Sequence, residues 1–304
     1  HGWMPDAYRA APLPVLALLS GVLSKVGAYG FLRIVLPLYP QATSHFQEVV
    51  LLIALASILY GSVMAFTQTN VRLIAGYSSI AQLGFITIGI FSLRSSGGDG
   101  AILQMVNHGL VVAPIFLIIV LIAERGGTED ITRLGGLAFR APVLASLFLI
   151  VTLATLAMPG SANFIGEFDI LIGVFQAKIV YAFVAAIGVP LAAYYALRLY
   201  QRTMHNRLPD GATSREMSLR DGLVIAPLVA CIIGLALYPG LITKRADTAV
   251  QDKLGAVAVA SCDVNGAYFA ASRAAPSSAT VTGCFSDYGL ASSGTGTPQI
   301  TQIK

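Results

Sequence analysis

The chain has 304 residues, 56% of them hydrophobic and only 11% charged, with 19 Lys plus Arg against 15 Asp plus Glu and a mean hydropathy of +0.74. Soluble domains carry about 25% charged residues, so this chain has too little polar surface to cover a globule of its size in water, and a soluble enzyme is excluded. The net charge of +4 sits in loops and points to a lipid bilayer and its anionic headgroups, not to nucleic acid.

Apolar runs follow one another at the length of a bilayer span, about 20 residues each. They cover roughly 13–38, 46–67, 73–93, 101–123, 141–158, 162–176, 179–201 and 222–243. A barrel strand would alternate apolar and polar residues, which the stretch from Leu51 to Leu59 does not, so these runs are helices. The predicted fold is all-α: a polytopic membrane bundle of about eight transmembrane helices in residues 1–245, two of them discontinuous. From about residue 246 to 304 the chain turns to Ala, Ser, Gly and Thr, and this low-complexity tail is predicted to be disordered. Lys and Arg divide too evenly between alternate loops to fix the orientation. Of three cysteines, Cys231 lies in the last apolar run, and Cys262 and Cys284 in the tail.

The informative residues are the ionisable ones inside apolar runs, in chain order. Lys25 stands among Ser20, Gly21, Ser24, Gly27 and Gly30, in the middle of the first run. A lysine at the centre of a lipid-facing helix costs about 2.5 to 3.5 kcal/mol, so it must face the protein interior, where it can give up and regain a proton. The glycines and serines let the helix open there and free backbone carbonyls. Arg33, about 12 Å further along the helix, snorkels to the interface.

Arg72 opens the third run, either as a relay or as an interfacial anchor. His108 lies a third of the way into the fourth run, with Gln104 and Asn107 at spacings of four and one. Gln104, Asn107 and His108 share one helix face, and histidine titrates closest to neutrality, which suits a relay or a packed, hydrogen-bonded residue. Glu167 follows the break at Met158-Pro159-Gly160, the acidic counterpart of Lys25 at a second interrupted helix. Asp169 is two residues on and points elsewhere. Tyr60 is a further candidate to hold water near the charged groups. There is no metal-ligand spacing, nucleophile motif, phosphate loop or dinucleotide fingerprint in the sequence.

Taken together, His1-Gly2-Trp3-Met4-Pro5-Asp6, Ser24-Lys25-Val26-Gly27, Gln68-Thr69-Asn70-Val71-Arg72-Leu73, Asn107-His108-Gly109 and the Met158-Pro159-Gly160 to Gly166-Glu167-Phe168 break resemble the antiporter-like membrane subunits of respiratory complex I. The resemblance runs from residue 1 to about 245. Glutamate at the second break, where other members carry lysine, narrows it to one branch. It implies that these are the seventh to fourteenth of fourteen helices, that Lys25, His108 and Glu167 carry protons, and that the chain is multi-pass in a bacterial inner membrane. It also implies that NADH, FMN, iron–sulfur clusters and quinone belong to other subunits, that no cofactor binds here, and that the partners are other membrane-arm subunits. The family usually reads Asp-Ile-Lys-Arg where this chain has Asn70-Val71-Arg72-Leu73, so a permanently charged guanidinium stands where a titratable lysine is usual. The same motifs also fit a subunit of a multi-subunit cation/proton antiporter, the membrane arm of an energy-converting hydrogenase, or a fragment without activity.

Overall fold

The computed structural model describes residues 2–206 and 215–271. In chain order the helices are α1 (Met4–Ala10), α2 (Leu13–Gly21), α3 (Val26–Gly30), α4 (Leu36–Leu38), α5 (Pro40–His45), α6 (Gln47–Thr67), α7 (Val71–Phe91) and α8 (Ser95–Gly126). They continue with α9 (Pro142–Thr155), α10 (Ala162–Ala177), α11 (Ile179–Ala186), α12 (Gly188–Met204), α13 (Leu219–Leu237) and α14 (Gly240–Ala271). The fold is all-helical, with no strand among the described residues.

Among the described residues, six helical stretches are long and apolar enough to cross a membrane: Leu13–Leu38, Gln47–Thr67, Val71–Phe91, Ser95–Gly126, Ile179–Met204 and Leu219–Leu237. The sequence predicts about eight, and the difference lies in the runs 141–158 and 162–176. These form α9 and α10, of 14 and 16 residues, each about 21 to 24 Å long against a hydrocarbon core of about 30 Å. The chain between them turns through Ala157 and Gly160, both at positive φ, and Ser161 then caps α10 by accepting from Phe164 N–H. By contrast α8 runs without interruption through Pro114, although a proline lacks the backbone N–H of a helix interior.

Helices α7 and α8 form the centre, because nearly every face of α7 is buried. α6 packs along α7; α2, α7 and α10 pack along α8. Two apolar cores result. One gathers Ile74, Ile80, Val111, Phe116, Phe148 and Tyr195; the other gathers Ile58, Phe85, Ile88, Ala101 and Ile170. On α7 the first core ends at Ile80 and the second begins at Phe85, while on α8 the second holds Ala101 and the first begins at Val111. The buried residues between them include a polar set: Gln82 on α7 and Gln104, Asn107 and His108 on α8.

The tail predicted to be disordered from about 246 instead begins as α14. Ala246, Val250, Leu254 and Val257, at spacings of four, four and three, form a buried stripe against the body of the protein, and alanine-rich sequence favours the helix. The remainder of that tail, from 272, lies outside the described residues.

Candidate functional site

Lys25 is 6% exposed and sits where the first membrane run tightens. Leu23–Lys25 form a 3₁₀ turn between α2 and α3, and the Lys25 N–H donates to the Val22 carbonyl. The Ser20 carbonyl then accepts from the Ser24 hydroxyl at 2.7 Å and from the Lys25 ammonium. Ser20 also reaches α7, its hydroxyl 2.8 Å from that of Ser79. At Lys25 the helix changes pitch, and the Ser20 carbonyl faces the lysine. Gly21 explains the approach to α8, since a Cβ on Gly109 would lie 2.6 Å from the Gly21 carbonyl oxygen. That crossing brings His108 within electrostatic reach of Lys25. His108 is 2% exposed and its Nε2 has no hydrogen-bond partner.

Glu167 is 3% exposed and faces two side-chain amides. Gln82 donates to its Oε1 at 2.7 Å, Gln104 donates to the same oxygen at 3.3 Å, and Gln104 also donates to the Gln82 carbonyl at 2.7 Å. Ser79 and Gln82 are three residues apart, about 4.5 Å along α7. The lysine network and the glutamate network therefore meet that helix within one turn. Buried polar groups of this kind are stable only when hydrogen-bonded, and the amide pair satisfies a carboxyl group that would otherwise be costly at this depth.

Asn107 donates to the Ala162 carbonyl at 2.7 Å and joins α8 to the start of α10. The other candidates lie outside this layer. Arg72 is held at the rim by an ion pair to Glu129 at 2.5 Å and by bonds to the carbonyls of Arg9 at 3.1 Å and Ala11 at 2.7 Å. Asn70, which caps α7, also donates to Glu129 at 3.2 Å. These contacts tie the start of α7 to the loop after α8 and to the end of α1. Tyr60 is 43% exposed, and its ring packs on Tyr77 at 6.1 Å. Asp169 points to the other end of α10, where it shares a neighbourhood with Asp99 on α8 and Asp247 on α14.

Several members of the layer carry no signal in the sequence. Ser20, Ser79, Gln82, Asn163 and Tyr195 are neutral polar residues in apolar runs, buried to 3% exposure or less. Tyr195 lines a cavity of about 10 Å³ with Ser78, Thr152 and Thr155 between α7, α9 and α12. Among the described residues no group of three or more His, Cys, Asp or Glu could hold a metal ion.

Residues 1–192 match the model of the NADH:quinone oxidoreductase/Mrp antiporter transmembrane family. The chain belongs to this family. NADH-quinone oxidoreductase subunit M of Rickettsia prowazekii is 38% identical over 84% of this chain and 52% of its own length. A chain of respiratory complex I from Thermus thermophilus superposes with a TM-score of 0.78 at 29% identity, covering 84% of this chain and 55% of that one. A chain of the Mrp complex from Dietzia shares the fold, with a TM-score of 0.77 at 20% identity, over 84% of this chain and 57% of that one. The chain spans about half the length of the curated relatives it matches. These structural neighbours are members of multi-subunit assemblies, and the chain is a membrane protein of the same family.

Proposed function

We propose that this chain is the proton-translocating portion of subunit M of an NADH:quinone oxidoreductase, working in a bacterial inner membrane beside other membrane-arm subunits. In this reading the first run, with its 3₁₀ turn at Lys25, and the α9–α10 pair, with its break before Glu167, act as two discontinuous membrane helices, and the spans number about eight. NADH oxidation, FMN, iron–sulfur clusters and quinone reside in other subunits.

The observation that carries the reading is the polar layer itself. Lys25, His108 and Glu167, from three separate segments, are all buried at the level between two apolar cores; Lys25 reaches α7 through Ser20 and Ser79, Glu167 reaches it through Gln82 and Gln104, and His108 lies beside both. Such a layer is expensive in a membrane and repeats the sequence logic of a proton relay. Lys25 receives and releases the proton, His108 relays it, and Glu167 passes it onward. In so dry a setting each change of charge is felt by its neighbours, which couples the sites.

The test is NADH-driven acidification of inverted membrane vesicles that carry the full-length version of this chain. The reading expects a gradient that requires NADH and is indifferent to sodium. A sodium-dependent gradient without NADH would instead assign the chain to a cation/proton antiporter, whose Mrp relative shares the fold.

A further inference from the structure

The antiparallel packing of α8 on α10 has a fixed register. A Cβ on Gly173 would meet the backbone of Gly97 at 2.4 Å, one on Gly100 would meet Ile170 N at 2.7 Å, and one on Gly166 would meet Gln104 Oε1 at 2.6 Å. Asn107 continues the series one turn on, bonded to the Ala162 carbonyl. This register sets Asn163 opposite Asn107, one turn from the Gln104–Glu167 contact and beside the turn that carries His108.

Asn163 is fully buried, yet neither its Oδ1 nor its Nδ2 has a hydrogen-bond partner. Across the register the Oδ1 of Asn107, the Nε2 of His108 and the Oε1 of Gln104 are likewise buried and unpartnered. The Asn107 amide has one of its two hydrogens engaged with Ala162 and the Gln104 amide has both engaged with Gln82 and Glu167, so Asn163 is the carboxamide of the group with neither donor nor acceptor engaged. Its Oδ1 needs a donor and its amide an acceptor. A buried acceptor left without a donor is destabilising. Water, which both donates and accepts, fits a site with this many polar partners.

We propose that Asn163, paired across the helix interface with Asn107, holds the water that carries the proton between His108 and Glu167. Asn163 is a positioning residue. The water takes a proton from the imidazole side and passes one of its own towards the Glu167 carboxyl group, ending as it began. Neither carboxamide gains or loses a proton. The inference rests on the proton-relay reading above and adds to it the step between two of its named groups.

The experiment uses the complete respiratory complex in two forms of measurement. A high-resolution map of the wild-type complex is expected to show a water within hydrogen-bond distance of Asn163, and a dry contact there overturns the proposal. Asn163→Leu, of similar volume but without polar atoms, is expected to cut NADH-driven proton transport about tenfold or more, a loss of the order that a misplaced reacting group produces. Asn163→Ser, which leaves room for water beside a hydroxyl, is expected to stay within about twofold of wild type. A structural role in packing predicts the reverse order, with the larger apolar side chain tolerated and the smaller one not, and that order overturns the proposal, as do equal rates. Lys25→Ala is measured alongside. If transport survives Lys25→Ala the relay reading itself fails, whereas loss with Lys25→Ala and none with Asn163→Leu removes only the water bridge. Should Asn163→Leu not assemble, the wild-type map decides.

Discussion

Removing the carboxylate of Glu129 tests whether Arg72 is a clamp or part of the proton path. Arg72 is tied to Glu129 at 2.5 Å, with side-chain exposures of 14% and 26%, so the pair is neither free in solvent nor fully buried. Exposed ion pairs contribute about 0.2–1 kcal/mol and breaking buried ones costs about 3–5 kcal/mol. In Glu129→Ala the guanidinium keeps its bonds to the carbonyls of Arg9 and Ala11 and is not stranded, which places the loss near the lower side of that interval. The 3.2 Å bond from Asn70 is lost as well. The expected destabilisation is about 2 kcal/mol, or about 4–8 °C in melting temperature at about 2–4 °C per kcal/mol. The assay is thermal unfolding of the purified protein in detergent, as a double-mutant cycle with Arg72→Leu and with the exposed Glu124→Ala as control. Most of the loss should appear as coupling between Arg72 and Glu129, and the assembled Glu129→Ala complex should still pump. Coupling below about 0.5 kcal/mol would refute the clamp, and abolished pumping at wild-type assembly would return Arg72 to the proton path.

Gln82→Leu removes the 2.7 Å hydrogen bond to Glu167; bonds to charged groups contribute about 1.5–3 kcal/mol, so proton transport should fall roughly tenfold or more while the complex assembles, and unchanged transport would contradict the amide-held carboxyl. At the α8–α10 crossing, Gly100→Val should cost more than about 1–3 kcal/mol, because its Cβ would lie 2.7 Å from backbone, whereas Gly27→Ala meets nothing within 4 Å; similar melting temperatures for the two would contradict the register. In the loop after α8, Asp130 accepts from Thr132 N at 2.9 Å and Thr132 Oγ1 at 2.8 Å, which holds its carboxyl below the usual aspartate range. A depressed folded value means the contribution is complete above the unfolded aspartate value and is lost as pH falls through the folded one. The protection of the Thr132 amide, taken relative to its intrinsic exchange rate at each pH, should therefore fall in that acid window, and Asp130→Asn should remove the dependence.

Lys25, His108 and Glu167 stand out in the sequence because a titratable side chain in an apolar run has no inexpensive lipid-facing explanation. The same reasoning cannot find Gln82, Ser79 or Asn163. Neutral polar residues are ordinary in such helices, and their burial against one another depends on the register of α8 on α10 and the crossing at Gly21 and Gly109. Arg72 is conspicuous by charge, yet its partner Glu129 lies 57 residues away in a loop, so local sequence cannot distinguish clamp from relay. The helix count turns on a related point: the break at Met158-Pro159-Gly160 is legible in the sequence, but whether the pieces on either side of it are separate spans depends on their length as helices, 14 residues for α9 and 16 for α10. In α14 a composition argument for disorder loses to the stripe of Ala246, Val250, Leu254 and Val257, which needs a partner surface to matter.

In the proposed relay, protons cross this layer through Lys25. NADH-driven ΔpH in inverted vesicles carrying the full-length chain is compared with that of Lys25→Ala, while NADH oxidation is followed in parallel. The variant is expected to assemble and to lose the gradient, alone or together with coupled oxidation. A wild-type gradient from the assembled Lys25→Ala complex would contradict the relay.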